Sequence, residues 1–211
     1  MRVAIAAAIL CAAFPVPARA QSKELLPRFV IDARAVVTKL GQDETTAADL
    51  GLDPTQLPST GFGGAIGANV YLWRHPKLTL GVGGEGVLAR AAGVPTDSTG
   101  AVNGPRVERR LQGVSGTISL NFGHRQGWSY ISAGLGPLRF QTFTGDVPSG
   151  EPPPFRATQN IGVGARWFAK EHLAFCFDLR FYLTQPEPAE GTNPGRNRER
   201  VLVFSAGISI K

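Results

Sequence analysis

The sequence predicts an all-β protein, an eight-stranded antiparallel up-and-down transmembrane β-barrel. Three observations predict it. The first is the stretch Asn160–Tyr182, NIGVGARWFAKEHLAFCFDLRFY, which reads as two strands and a short turn. Ile161, Val163, Ala165 and Trp167 alternate with Gly162, Gly164 and Arg166, then Leu173, Phe175, Phe177, Leu179 and Phe181 alternate with Ala174, Cys176, Asp178 and Arg180. Strict period-2 alternation marks strands with two unlike faces. Here the bulky face is greasy enough to meet lipid, while glycine, Arg and Asp share the other, as in a crowded polar lumen. The second observation is that such segments recur eight times, with connections that run long, short, long, short, long, short, long. The third is compositional. The chain has 26 glycines and is 18% charged, and after its first residues it offers no apolar run long enough to cross a membrane as a helix. Mean hydropathy near zero (−0.03) agrees, because only alternate barrel residues see lipid.

The elements follow in order. Met1-Arg2, the apolar run Val3 to Phe14 and Ala18-Arg19-Ala20 make residues 1–20 a signal peptide. The run is too short for a membrane anchor, and Cys11 lies inside it rather than at its end. Residues 21–211 are then expected to form one barrel domain. Cys176 is the cysteine left after processing, so no intrachain disulfide is expected, and it should sit packed on the inner face.

The first strand spans about Arg28–Lys39, with Phe29, Ile31, Ala33, Ala35 and Val37 opposite Asp32, Arg34, Val36 and Thr38. A long loop, Leu40–Thr60, separates it from the second, about Gly61–Trp73. A turn at His75-Pro76-Lys77 leads into the third, about Leu78–Arg90, with Glu85 on its inner face. Ala91–Arg109 is the second long loop. The fourth strand, about Arg110–Phe122, and the fifth, about Trp128–Phe143, flank a turn at His124 to Gly127. Pro137 removes a ladder donor, so a bulge or local edge is expected there. Thr144–Pro154 is the third long loop. The hairpin supplies strands six and seven. Gln185–Arg198 is the fourth long loop, and about Glu199–Lys211 is the eighth strand.

Trp73, Trp128 and Trp167 all fall beside short turns, so they are expected to form an aromatic girdle at one rim. Phe62, Phe140, Phe143 and Tyr182 are candidates for the other rim. The segments Gly162-Val163-Gly164-Ala165-Arg166-Trp167-Phe168, Asp178-Leu179-Arg180, Tyr130-Ile131-Ser132-Ala133-Gly134-Leu135-Gly136 and Ser205-Ala206-Gly207-Ile208 carry a family resemblance. On them the chain resembles the small eight-stranded outer-membrane barrels, the group that includes the transmembrane domain of outer membrane protein A. The resemblance implies the cell outer membrane as location and the barrel-assembly machinery as a partner during biogenesis. One departure is Ile210-Lys211, where members usually carry a terminal aromatic that the machinery reads.

Parity makes Asp32, Arg34, Glu85, Arg166, Asp178 and Arg180 inward. In the hairpin, keeping Trp167 with Phe175 and Val163 with Leu179 sets Gly164 against Asp178 and Gly162 against Arg180, with Arg166 diagonal to Asp178. Three acids and three arginines in a lumen just wide enough for side chains should pair into a charge network, because a stranded charge costs several kcal/mol. Arg106, Arg109, Arg110, Arg196, Arg198 and Arg200 flank two long loops and are possible contacts to lipopolysaccharide phosphates and other outer-membrane lipids.

No cofactor or metal site is expected. His75, His124 and His172 each sit at a short turn, and no Ser-His-Asp order, phosphate loop or dinucleotide fingerprint is readable. The formal charge of +6 comes without a basic helix or nucleic-acid module, so no nucleic-acid partner is expected. The expected function is non-enzymatic, a structural or surface-interaction role through the outer loops of a monomer. The second reading is a narrow ion or small-solute channel, and the third a periplasmic lipocalin-like binder.

Overall fold

In the computed structural model, residues 25–41, 44–97, 99–149, 154–186 and 198–211 are described. Residues 1–20, expected to be a signal peptide, and most of the fourth long loop, Arg196 included, lie outside them. The strands are β1 (Phe29–Leu40), β2 (Thr60–Arg74), β3 (Thr79–Gly93), β4 (Val107–His124), β5 (Gly127–Thr144), β6 (Val147–Pro148), β7 (Arg156–Phe168), β8 (Leu173–Thr184) and β9 (Arg200–Ile210). All pairings are antiparallel. The order β4-β3-β2-β1-β9-β8-β7-β5 closes through β4–β5. Eight strands therefore form a barrel, and two-residue β6 only folds back on β5 in the third long loop.

The alternation of side chains explains both walls. In β1, Phe29, Ile31 and Val37 point out, whereas Val30, Asp32, Arg34, Val36 and Thr38 are buried. Outward Ile66 is 69% exposed, and Ile118, Leu135, Ile161, Phe175 and Phe204 join the same belt. Such a belt around the whole wall is a lipid-facing surface, not a water-facing one. The hairpin register is the one its parity predicts: Trp167 faces Phe175, Val163 faces Leu179, Gly164 faces Asp178 and Gly162 faces Arg180.

Two differences from the expected elements, and one alternative that the sequence leaves open, have physical causes. The loop ends of β3 and β4 extend to Gly93 and Val107, because Glu108 and Arg109 find ion partners and stay in the ladder. The first long loop is not shapeless. It holds α1 (Glu44–Asp49) and a 3-10 turn, Pro54–Gln56, which Asp53 caps by accepting from Thr55 N at 2.8 Å while Asp53 N donates to Gln56 Oε1 at 2.9 Å. The Thr55 hydrogen bonds hold the Asp53 carboxyl below the usual range. Ala47 and Leu57 from this loop bury against Val107 at the top of β4.

Of the bulge or local edge expected at Pro137, the local edge forms and the bulge does not. Leu135 pairs with Gly116 below it and Leu138 with Gly113 above it, in one unbroken register. The pairs at Gly136 and Pro137 are simply missing on the β4 side, while the β7 side continues through Gly136↔Thr158 and Pro137↔Ala157. The inward phase therefore runs on through Leu138 and Phe140, both buried.

Candidate functional site

Three layers fill most of the interior, and a further buried ion pair, Arg156 with Glu199 at 3.3 Å, lies at the loop end. At the short-turn end Leu26, Val30, Tyr71, Trp128 and Tyr130 cluster, with Phe168 against them. Tyr71 meets Trp128 edge-on at 6.0 Å, and Trp128 stacks on Phe168 at 5.2 Å. Toward the loops Val36, Leu111, Leu138, Phe140, Tyr182, Val201 and Val203 form an apolar plug. Between them lie all six charged residues expected in the lumen.

Asp32 is held by Arg166 through Nε at 3.0 Å and Nη2 at 2.5 Å, and it accepts from Ser209 Oγ at 2.5 Å. Arg34 pairs with Glu85 and reaches Asp178 Oδ1 at 3.3 Å. Arg180 bridges Glu85 and Asp178, each at 3.2 Å, and donates to Asn160 Oδ1 at 2.7 Å and Ser132 Oγ at 3.0 Å. Two phenols complete the set: Tyr130 donates to Asp178 at 2.8 Å and Tyr182 to Glu85 at 2.7 Å. Every carboxylate meets at least one guanidinium, which is the condition for burying such charges. A cavity of about 20 Å³ remains among these groups, enough for about one water.

One expected partner differs. Arg166 pairs with Asp32 across the lumen, not with Asp178 on the neighbouring strand. Tyr130 lies over Gly164, where an added Cβ would come within 2.4 Å of its ring and hydroxyl. The Tyr130 ring therefore fills the diagonal, with the Arg166 guanidinium 4.4 Å from its centroid.

Trp73 and Trp167 are 53% and 55% exposed on the outer wall, as a girdle requires. Trp128 is not in the girdle, because it is 3% exposed and points inward. It shares the parity of Ser132, so the signal was in the alternation and was outweighed by nearness to the turn. Phe140 and Tyr182 likewise point inward rather than to the outer rim. Trp128→Ala is therefore expected to cost about 3–5 kcal/mol, the range for emptying a large aromatic site, and Trp73→Ala clearly less. Urea unfolding in lipid vesicles measures both.

The six loop-flanking arginines do not form one patch. Arg106 and Arg110 lie at the loop end of β4, and exposed Arg198 and Arg200 at that of β9. In the closed order β4-β3-β2-β1-β9 these strands are diametrically opposite. Arg109 is 2% exposed and donates to the Gly41 carbonyl at 2.9 Å, so no lipid reaches it. Arg196 is among the residues not described. The arginines that do lie beside Arg110 on the outer wall are Arg90 and Arg139, which the sequence reading did not single out. Their outward parity on β3 and β5 was the available signal.

Cys176 is buried. Among the described residues no group of His, Cys, Asp and Glu is arranged to hold a metal, and no helix is long and apolar enough to cross a membrane.

A closed antiparallel barrel with a greasy wall and a charged, plugged lumen defines a transmembrane β-barrel. Its fold is that of the small eight-stranded outer-membrane barrels. Neisserial surface protein A is similar at 15% identity, over 88% of this chain and 97% of that one, with a TM-score of 0.56. Ail, the attachment invasion locus protein of Yersinia pestis solved with the heparin analogue sucrose octasulfate, aligns at 12% identity over 86% and 96%, TM-score 0.49. The outer membrane protein OprG from Pseudomonas aeruginosa aligns at 12% identity over 89% and 96%, TM-score 0.48. No protein-family model and no curated relative matches the sequence.

Proposed function

We propose that this protein is a closed, non-conducting scaffold of the outer membrane, exported by its signal peptide, that acts through the face its long loops build. Its partners there are outer-membrane lipids and other surface molecules, and it performs no catalysis. The observation that carries the reading is the filled lumen. Two apolar layers seal the charged layer from both sides, and the charged layer pairs its own signs. The cavity left among the charged groups, about 20 Å³, suits a water rather than a solute, and a lipocalin-like binder would need the opposite polarity, with apolar residues lining a hollow interior.

The test is electrical. In planar bilayers the purified protein is expected to give no steady current, and a reproducible ohmic conductance per inserted barrel would overturn the closed scaffold in favour of a channel. Loop orientation is tested separately. A cysteine at Asn103, in the second long loop, is expected to react with an impermeant thiol reagent on intact cells.

A further inference from the structure

Three arginines project from the outer wall of adjacent strands at the loop end. Arg90 on β3 is directly opposite Arg110 on β4. Arg139 on β5 faces Gln112, one outward position along β4 from Arg110. Like charges this close oppose each other, and this wall balances them only in part. Glu108 pairs with both Arg90 and Arg110, the latter at 2.6 Å, while Arg139 donates to the neutral Gln112 side chain at 2.9 Å. Among the described residues, three positive charges thus share one carboxylate. The side chains of Arg90 and Arg110 remain 56% and 45% exposed. Phe143 and Phe155 lie under the guanidiniums of Arg110 and Arg139 at 4.1 and 4.6 Å, which steadies their planes against the wall.

Below this patch, toward the membrane, the same strands are hollowed. Ala68, Gly84 and Gly116 sit directly across from one another on β2, β3 and β4. With Gly86 they leave an open apolar groove of about 530 Å³ bordered by Ile66, Val114 and Leu135. Gly86 lies four residues from Arg90 on the same strand, roughly 13 Å at the usual strand rise of about 3.3 Å.

We propose that this wall of β2–β5 binds the phosphorylated headgroup of an outer-leaflet lipid, lipid A, at Arg90, Arg110 and Arg139, with an acyl chain lying in the groove beneath. Guanidinium forks match phosphate oxygens in geometry and charge. The unbalanced excess matches a phosphate ester, and the apolar groove continues from the charged patch in the direction an acyl chain would take. The inference rests on the reading that the long loops face the cell exterior.

Native mass spectrometry of the detergent-solubilised barrel with bisphosphorylated lipid A, dephosphorylated lipid A or inorganic phosphate tests it. The wild type is expected to retain the bisphosphorylated lipid and not the dephosphorylated one, and inorganic phosphate should not displace it. The triple variant Arg90→Gln/Arg110→Gln/Arg139→Gln is expected to lose retention by on the order of tenfold or more, the scale of charge-assisted hydrogen bonds. The variant Arg198→Gln/Arg200→Gln, on the opposite wall, should keep it. The triple Lys variant should fall between, since it keeps charge without the fork.

Gel mobility of unheated samples shows whether each variant is folded. If the triple Gln variant does not fold, Arg139→Gln alone, whose partner is neutral, is expected to weaken retention. Equal retention of both lipids by the wild type overturns the proposal, as does wild-type retention by the folded triple variant. Displacement by inorganic phosphate would reduce the site to a free-anion site. A dimer broken by Gly84→Leu with lipid retention unchanged would give the groove to a second copy. Conductance of the same preparation is read independently, so an open pore would sink the closed-scaffold reading and leave the lipid result standing.

Discussion

Replacing Arg166 with methionine is expected to destabilise the barrel by about 3–5 kcal/mol, the cost of leaving a buried charge without its partner. Asp32 is 2% exposed, and two of the hydrogen bonds it accepts come from Arg166. Without them its carboxylate keeps Ser209 at 2.5 Å and only the more distant charge of Arg34. The double variant Asp32→Leu/Arg166→Met should recover much of the loss, because replacing both members of a buried pair by apolar groups is often neutral. Urea unfolding in lipid vesicles, followed by the mobility of unheated samples on gels, measures both. A loss below about 1 kcal/mol for the single variant, the size of a solvent-exposed pair, would show that water reaches the network.

The second large effect is expected at Gly164. A Cβ there would lie 2.4 Å from the Tyr130 ring and 2.5 Å from the Phe177 carbonyl. The carbonyl is part of the ladder, and the ring is tied by its hydroxyl to Asp178, so neither yields cheaply. Gly164→Val should cost the roughly 1–3 kcal/mol of overpacking and a further ~1.5–3 kcal/mol if the Tyr130 hydrogen bond to the carboxylate breaks. Gly116→Val is the contrast. Gly116 faces outward with nothing within 4 Å of an added Cβ, and the change is expected to stay within about 0.5 kcal/mol. If the two variants behaved alike, the assignment of inner and outer faces on β4 and β7 would be wrong.

Much of this architecture was legible because β-structure writes its two faces into alternate residues. Parity alone gave the hairpin register and placed Asp32, Arg34, Glu85, Arg166, Asp178 and Arg180 inside. Connection lengths gave the strand count. Trp128 shows where one cue misled: nearness to a turn suggested a rim residue, while its phase with Ser132 already pointed inward. Pro137 shows a cue that held in part, giving the local edge without the bulge. A missing N–H removes a ladder bond, but β5 stays in register because its other edge is paired to β7. Which acid each arginine chooses was not legible. That choice depends on which strands face each other across the lumen and on the Tyr130 ring filling the space beside Gly164. The short helix Glu44–Asp49 was hidden because six residues carry too little periodicity, whereas the 3-10 turn after it had a readable capping box in Asp53 and Gln56. Arg90 and Arg139 drew no notice because they are not adjacent to Arg110 in the chain and become its neighbours only through pairing.

The bond between Asp32 and Arg166 joins residues 134 positions apart, and the Ser209 hydroxyl on the same carboxylate comes from the last strand. Asp32 therefore gains its partners only after β9 has paired with β1 and the sheet has become a cylinder. Before that moment an inserted, unclosed sheet would hold Asp32 and Arg166 without each other, although Arg180 and Asp178, two residues apart on β8, would already pair. Partial assemblies are penalised by the charges still unpaired, and the contribution of that pair arrives at the final step. The Asp32–Arg166 pair thus ties part of the barrel's stability to closure itself.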